Sequence, residues 1–385
     1  MKDNDVITVA GAGPSGLACA ITLASAGCKV VVHEWHDAVG RRFRDDFQGL
    51  ENWSAKTDVL DELAGAGLTT DFEHHAVTHG TVFDTRGVAH EVHGARSLFY
   101  LVRRGSAAGT LDCELLAQAR AVGVDVRFNS RVQRVEGRAV LATGPRRAKV
   151  IAVGQVFDTD QPDGAWLAFG DRLAPKGYAY LLVQGRRGTL VSCMFRNFKD
   201  EALHFDATRR FFEGRLGLRM HNPHTFGGFG YWHMPRSAMQ GGHPLVGERA
   251  GFQDALAGFG MRHALRSGLL AAQSILKGTD YNRLWQAEIG PSLARGQLNR
   301  LIFAHTGARF MDLSATRLAR TDAGAALARL YRPGPISRLA RPLIGHLSRD
   351  PFGEMACGED GCGCEWCKCA RPARTAERNL GRMVQ

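Results

Sequence analysis

VITVAGAGPSGLACAITLASAGCKVVVHE, residues Val6–Glu34, reads in order as strand, glycine turn, helix, strand and acid. Val6–Val9 is apolar and rich in β-branched residues, as a buried parallel strand requires. Gly11, Gly13 and Gly16 then spell G-x-G-x-x-G. The first glycine allows a tight turn, the second lets a pyrophosphate approach the backbone, and the third lets the next helix pack on the strand. Pro14 suits a first helical turn because its missing N–H is not needed there. Ser15–Ala26 is a small-residue helix whose N-terminus aims free N–H groups at phosphates. Lys29–His33 is the second strand, and Glu34 stands where an acid can bond a ribose hydroxyl. A glycine-rich turn of an ordinary α/β unit explains the glycines but not the acid. The stretch therefore predicts an adenine-dinucleotide site, and by itself it does not say which dinucleotide.

Outward from this unit, the composition is that of a soluble globular protein. The chain has 385 residues, 44% hydrophobic and 23% charged, enough for a two-part molecule with an ample core. Val6–Cys28 is uncharged and long enough to suggest a membrane span, but its glycines, its Pro14 and its place in a nucleotide-binding unit argue against one. The first strand begins almost at once, so no signal peptide is expected and a cytoplasmic location is the default. The net charge is +11. There is no Lys/Arg run interleaved with aromatics and no nucleic-acid motif, so nucleic acid is not an expected partner. Residues 316–350 hold seven arginines against Asp322 and Asp350. That suits a membrane surface, an acidic partner or a generally basic proteome equally.

The middle of the chain reads as antiparallel sheet. His79–His93 alternates about Arg86-Gly87 as a hairpin. A helix is expected near Leu111–Val122, and strands at 124–128, 131–135 and 139–143. Further strands are expected at 149–157, 165–169, 178–183 and 189–195, and a helix at 206–214. Met220–Pro235, MHNPHTFGGFGYWHMP, reads as an aromatic, histidine-rich loop. Its His233 is a candidate general acid, or simply a satisfied loop histidine. A second glycine-rich element follows, GERAGFQDALAGFGM at 247–261, leading into a helix from about Gly260 to Ile275.

Three segments resemble the flavoprotein superfamily with glutathione-reductase-like FAD domains, and within it the branch holding para-hydroxybenzoate hydroxylase and the geranylgeranyl reductases. They are Gly11–Glu34; Arg103, Arg104, Leu111 and Asp112; and Val246–Gly268, which is similar to the branch's G-D-A-A-G-x-x-x-P-x-x-G-x-G-I. In the last, Glu248 replaces Asp, Ala255 replaces Pro and Met261 replaces Ile, while Gly247, Gly251, Gly258 and Gly260 remain. Tyr178-Ala179-Tyr180-Leu181-Leu182 is similar to the branch's Tyr-x-Trp-x-Phe-Pro strand, with Tyr180 for Trp and Val183 for Pro. On their own, aromatics at i and i+2 share a sheet face and either line a pocket or pack a core.

The resemblance implies an α/β protein: a Rossmann-like FAD-binding domain with an inserted antiparallel β-sheet substrate domain and a helical C-terminal region. The expected FAD-binding domain is 1–70, 98–150 and 244–280, and the substrate domain 71–97 and 151–243. The helical region is 281–350 and a cysteine-rich tail is 351–385. FAD is expected to contact Gly11, Gly13, Pro14, Ser15, Gly16, Glu34, Arg42, Arg104, Glu248, Gly258, Phe259, Gly260 and Met261. The start of the last helix would face the charge that a reduced flavin carries. Tyr178, Tyr180 and His233 are the candidate catalytic residues. No second G-x-G-x-x-G unit is present, so the reductant is expected to be NAD(P)H visiting the flavin or an electron-donor protein. The implied activity is hydride transfer on an apolar, isoprenoid- or lipid-like substrate. Its rivals are an aromatic hydroxylase using NAD(P)H and oxygen, and an electron-transfer flavoprotein or sensor. A halogenase is disfavoured because W-x-W-x-I-P is missing.

Cys357, Cys362, Cys364, Cys367 and Cys369 give C-x4-C-x-C-x2-C-x-C. Zinc, an iron–sulfur cluster, redox thiols and an unstructured tail all remain open for it. Ile336, Leu339, Ala340, Leu343, Ile344 and Leu347 form a helical apolar face, with Arg338, Arg341 and Arg349 off it. Such a helix packs on its own domain or lies on the inner face of a membrane.

Overall fold

The computed structural model describes residues 6–132, 135, 137–145 and 148–334. The cysteine-rich tail and the apolar face at 336–347 lie outside these residues.

The opening stretch folds as strand Ile7–Ala10, helix Pro14–Ser25 and strand Val30–His33. The first strand is central in a four-stranded parallel sheet. Val30–His33 and then Asp125–Arg127 lie on one side, and Ala139–Leu141 on the other. Leu245 pairs in parallel with Leu141 and extends that edge. The three inner strands are mainly apolar because helices cover them, whereas the edge strand Asp125–Arg127 keeps charged ends. Their side chains join Leu17, Ile21, Leu115 and Leu265 in the largest core cluster. Helix Met261–Lys277 crosses Pro14–Ser25 very closely: a Cβ at Gly268 would stand 2.1 Å from the Ser15 carbonyl oxygen.

A seven-stranded sheet forms the second body. Its order is 221–230, 150–158, 187–194, 178–184, 164–168, 79–83, 89–93. Every neighbouring pair is antiparallel except 164–168 with 79–83. The period of two divides its residues cleanly. Ile151, Leu181, Val183 and Leu190 pack with Phe205 and Phe212 of helix Glu201–Leu216 on one face. Ala152, Leu167, Tyr178, Tyr180, Leu182 and Cys193 line a cavity on the other. A three-stranded sheet, 46–51, 99–104 and 74–77, sits between the two bodies. The Phe47 N–H donates to Thr189 Oγ1 at 2.9 Å and links it to the large sheet. Helices Tyr281–Glu288, Gly290–Thr306, Ala308–Arg320 and Ala323–Tyr331 complete the described chain. No helix among the described residues is long and apolar enough to cross a membrane.

Two expectations are corrected. His221–Gly230, read as part of a loop, is a ten-residue edge strand. Its glycines, histidines and Pro223 carry little strand propensity, and the pairing comes from Val150–Asp158. An edge tolerates a proline because its outer side needs no N–H. Of 131–135, the described residues Arg131, Val132 and Val135 are not in a strand. There the chain turns over the sheet end, with the Ser130 N–H on the Glu34 carbonyl and the Arg131 guanidinium over the Trp35 ring.

Candidate functional site

A single cavity of about 1170 Å³ runs from the first glycine turn to the C-terminal helices. Each glycine of G-x-G-x-x-G serves it differently. Gly11 has φ +110° and lies against Ala142, where a Cβ would be 2.4 Å from the carbonyl oxygen. A Cβ at Gly16 would stand 2.0 Å from the Gly11 oxygen, so this position is needed for helix-on-turn packing. A Cβ at Gly13 would meet nothing within 4 Å. Its missing side chain opens the cavity rather than permitting a contact. Gly13 also caps helix Pro14–Ser25 with no side-chain hydrogen bond, so the N–H groups of the first turn stay directed at the cavity.

The second helix to reach the cavity does the same. Met261–Lys277 begins at Gly260, again without a side-chain cap, and Gly258, Phe259, Gly260 and Met261 all line the cavity. Gly258 has φ +76° and open space where a Cβ would be. Beside it, Gln253 donates from Nε2 to the Gly258 carbonyl at 2.8 Å, while its Oε1 is buried with no hydrogen-bond partner among the described residues. Two uncapped helix starts, two open glycine positions and an orphaned amide oxygen suit a long ligand carrying an anionic segment and a polar ring. An adenine dinucleotide such as FAD has those features, and the residues present fit it.

At the dinucleotide end, Glu34 Oε2 accepts from the Ala12 N–H at 2.9 Å and Oε1 from the His36 N–H at 3.0 Å. The acid is thereby fixed beside the glycine turn. Arg42 and Glu248 come from segments about two hundred residues apart and form an ion pair of 2.6 Å on the cavity wall. Arg42 also donates to the Phe229 carbonyl and lies 5.5 Å from the centre of the Phe229 ring. Arg104 is buried, makes a two-pronged ion pair with Asp112 at 2.8 and 2.9 Å, and stacks 4.3 Å over Phe43. It lines the cavity, but its paired guanidinium braces the wall. Arg103 turns away to Glu73 at 2.6 Å.

Tyr178 and Tyr180 line the middle of the cavity with ring centres 6.2 Å apart. The Tyr178 hydroxyl donates to the Ala257 carbonyl, which ties the large sheet to the 251–260 loop. Burial pushes both phenols well above their ordinary pKa. His233 is brought to neither tyrosine. It is exposed, its ring stacks on Tyr231, and it is absent from the cavity wall. Its N–H donates to the Gly251 carbonyl at 3.0 Å, so its backbone steadies the loop from outside. The candidate metal ligands of the tail lie outside the described residues. Among the described residues no group of histidine, cysteine or acid side chains is arranged to hold a metal.

The sequence reading missed three residues of this site. Gln253, Asp254 and Tyr331 carry no motif signal, and only the fold brings Tyr331 to the loop. Beyond Tyr180 the wall becomes apolar, with Val82, Leu98, Phe169, Met311, Leu318 and Leu327.

Residues 9–51 match the family model for a NAD(P)-binding Rossmann-like domain. The whole arrangement is the fold of FAD-binding reductases and monooxygenases. Among curated proteins, the chain is similar to a digeranylgeranylglycerophospholipid reductase from Methanosphaerula palustris, 24% identical over 71% of this chain and 76% of that protein. Among solved structures, it resembles a geranylgeranyl bacteriochlorophyll reductase-like protein from Thermoplasma acidophilum. That match has a TM-score of 0.69 at 18% identity, covering 88% of this chain and 99% of the other. A probable FAD-dependent monooxygenase from Pseudomonas aeruginosa superposes with a TM-score of 0.57 at 16% identity, over 85% of this chain and 99% of that one.

Proposed function

We propose that this protein is an FAD-dependent oxidoreductase that transfers hydride between the flavin and an apolar, isoprenoid- or lipid-like substrate. The observation that carries this reading is the continuity of the cavity, from Gly13 and Glu34 past Gly258–Met261 to the wall of Val82, Leu98, Met311 and Leu327. A dinucleotide occupies the polar end and an aliphatic chain the other, and the two meet beside Tyr178 and Tyr180. When bound, FAD supplies two-electron hydride chemistry. The chain's own groups supply the rest. The two helix starts orient the charged segments, Glu34 and Glu248 hold hydroxyls, and the apolar wall excludes water from the reacting end. The name of the Methanosphaerula relative supports a substrate with geranylgeranyl chains. Reducing equivalents come from NAD(P)H at the flavin face or from a protein donor, and contact with the inner face of a membrane would present such a lipid.

The test has two stages. The purified protein should carry a flavin absorbance spectrum and release FAD on denaturation. The reduced protein, mixed anaerobically with a digeranylgeranyl phospholipid, should be reoxidised as the lipid loses a double bond. Protein that retains no FAD even after reconstitution refutes the reading. The monooxygenase neighbours favour one rival, which would show itself as substrate-stimulated NAD(P)H oxidation with oxygen uptake.

A further inference from the structure

Behind the glycine loop lies a buried acid that the hydride reading leaves unused. Asp254 is 5% exposed. Its Oδ2 accepts from the Ala257 N–H at 2.6 Å and from the Tyr331 hydroxyl at 3.1 Å. Its backbone N–H donates to Phe259 and its carbonyl accepts from the Gly258 N–H, so it is the hub of the turn that presents Gly258–Gly260 to the cavity. Tyr331, from the last described helix, stands on two walls at once. It lines the large cavity, and it lines a separate chamber of about 20 Å³ that also touches Asp254, Glu51, Arg262, His263 and Ser292.

The chamber is polar where it needs to be. Arg262 is 3% exposed, and its Nη1 has no hydrogen-bond partner among the described residues. The rest of the guanidinium pairs with Glu62, and Glu51 Oε2 is 3.9 Å from Nη1, too far for a direct hydrogen bond. His263 Nε2 is 3.3 Å from Ser292 Oγ. The 3.9 Å gap between Arg262 Nη1 and Glu51 Oε2, in a space larger than the ~10–15 Å³ that one water requires, is a site for a bridging water.

We propose that Tyr331, Asp254 and this chamber form a proton relay that opens on the cavity beside the Gly258–Gly260 turn. The inference rests on the hydride-transfer reading. When hydride from the reduced flavin reaches one carbon of a substrate double bond, the π electron pair is left to the other carbon. The Tyr331 O–H bond then breaks and its proton joins that carbon. For this Asp254 is protonated and donates to the Tyr331 oxygen, the reverse of the bond above, which frees the Tyr331 O–H for the carbon; the phenolate then takes the Asp254 proton, and a chamber water restores it. One hydride and one proton are consumed, the flavin is oxidised by two electrons and the double bond is reduced.

The surroundings make Asp254 suited to hold a proton near neutrality. Burial raises its pKa to about 6, helped by Glu51; the N–H of Ala257, the Tyr331 hydroxyl and Arg300 work in the opposite direction. Tyr178 faces it from the large sheet, and His263, held neutral by burial with its pKa at about 4, faces the chamber.

The test uses the FAD-loaded protein and the reduction potential of its flavin as a function of pH. Negative charge arriving on the flavin makes a nearby carboxylate easier to protonate, so wild type should fall more steeply with pH above about pH 6 than Asp254→Asn. Below about pH 5 the two should run parallel, because the acid is then protonated in both redox states. Asn fits the space, which is tight: a Cβ at Gly296 would lie 2.2 Å from Asp254 Oδ1. Tyr331→Phe removes a donor to the carboxylate and should move the break to higher pH. In single-turnover oxidation by the digeranylgeranyl lipid it should be slower by roughly 10²-fold. Curves of one shape for all three proteins, each still carrying FAD, overturn the relay and leave the flavin reading intact. Loss of FAD from wild type itself overturns both.

Discussion

Three glycines in six residues do three different jobs, and substitution separates them. Gly16→Ala drives a Cβ into the Gly11 carbonyl, where only backbone can give way. It should cost about 1–3 kcal/mol of stability, read from denaturant unfolding without any cofactor. Gly13→Ala should leave that unfolding curve unchanged, since φ is −77° and the space is open. It should weaken FAD binding by about tenfold or more, ~1.4 kcal/mol, by filling the approach of the pyrophosphate. At the opposite wall, Arg42→Ala frees Glu248 and removes a charged donor. Titration with FAD should show a loss of about 1.5–3 kcal/mol in affinity. Asp254 sets a pH dependence of its own. Its folded pKa of about 6 is raised from the ordinary carboxyl value of 3.8, so it favours folding below the unfolded pKa. That contribution disappears as pH rises through the folded pKa. Between pH 4 and 6 wild type should lose about 2 kcal/mol relative to Asp254→Asn, as seen in paired chemical denaturation.

Two helices, Pro14–Ser25 and Met261–Lys277, hold the site in register, though they begin almost 250 residues apart. Their crossing is close because Gly268 has no side chain, and both N-termini consequently open on one cavity. Gly268→Ala should force the pair apart. The expected result is about 1–3 kcal/mol of lost stability together with weaker FAD binding, since both N-termini move. The two effects appearing together would separate a role for the crossing in the site from one in stability alone. The same scale explains why the 247–261 element reads well in sequence and 221–230 does not. The former carries its geometry in its glycines, three of which, Gly247, Gly251 and Gly258, adopt positive φ. The latter is an edge strand by virtue of its partner.

Across the whole molecule, the cavity is bounded at one end by the parallel sheet and at the other by helices Ala308–Arg320 and Ala323–Tyr331. Leu327→Trp should fill the apolar end. Turnover of a long-chain substrate should fall while the bound-flavin spectrum and the affinity for FAD stay the same. A parallel loss of FAD would mean instead that the C-terminal helices shape the cofactor end.

The sequence alone determined the dinucleotide unit, the alternating strands of the middle and the second glycine-rich helix start, because each is written locally in turn chemistry or in periods of two and 3.6 residues. It also supplied Gly13, Glu34 and Gly258, which the fold brings to the cavity wall. The rest depended on distance in space. Tyr178 and Tyr180 are equally good as core or as wall until the sheet's other face is seen to be covered by Glu201–Leu216. Arg104 is expected only to touch FAD, and its pairing with Asp112 is seen in the fold alone. His233 stands outside the cavity because the chain leaves the wall after Gly230 and passes behind the glycine loop, on Gly251. Asp254 and Tyr331, 77 residues apart, meet only because the last described helix folds back over the glycine loop. No local pattern records a contact made by two surfaces brought together at the end of folding.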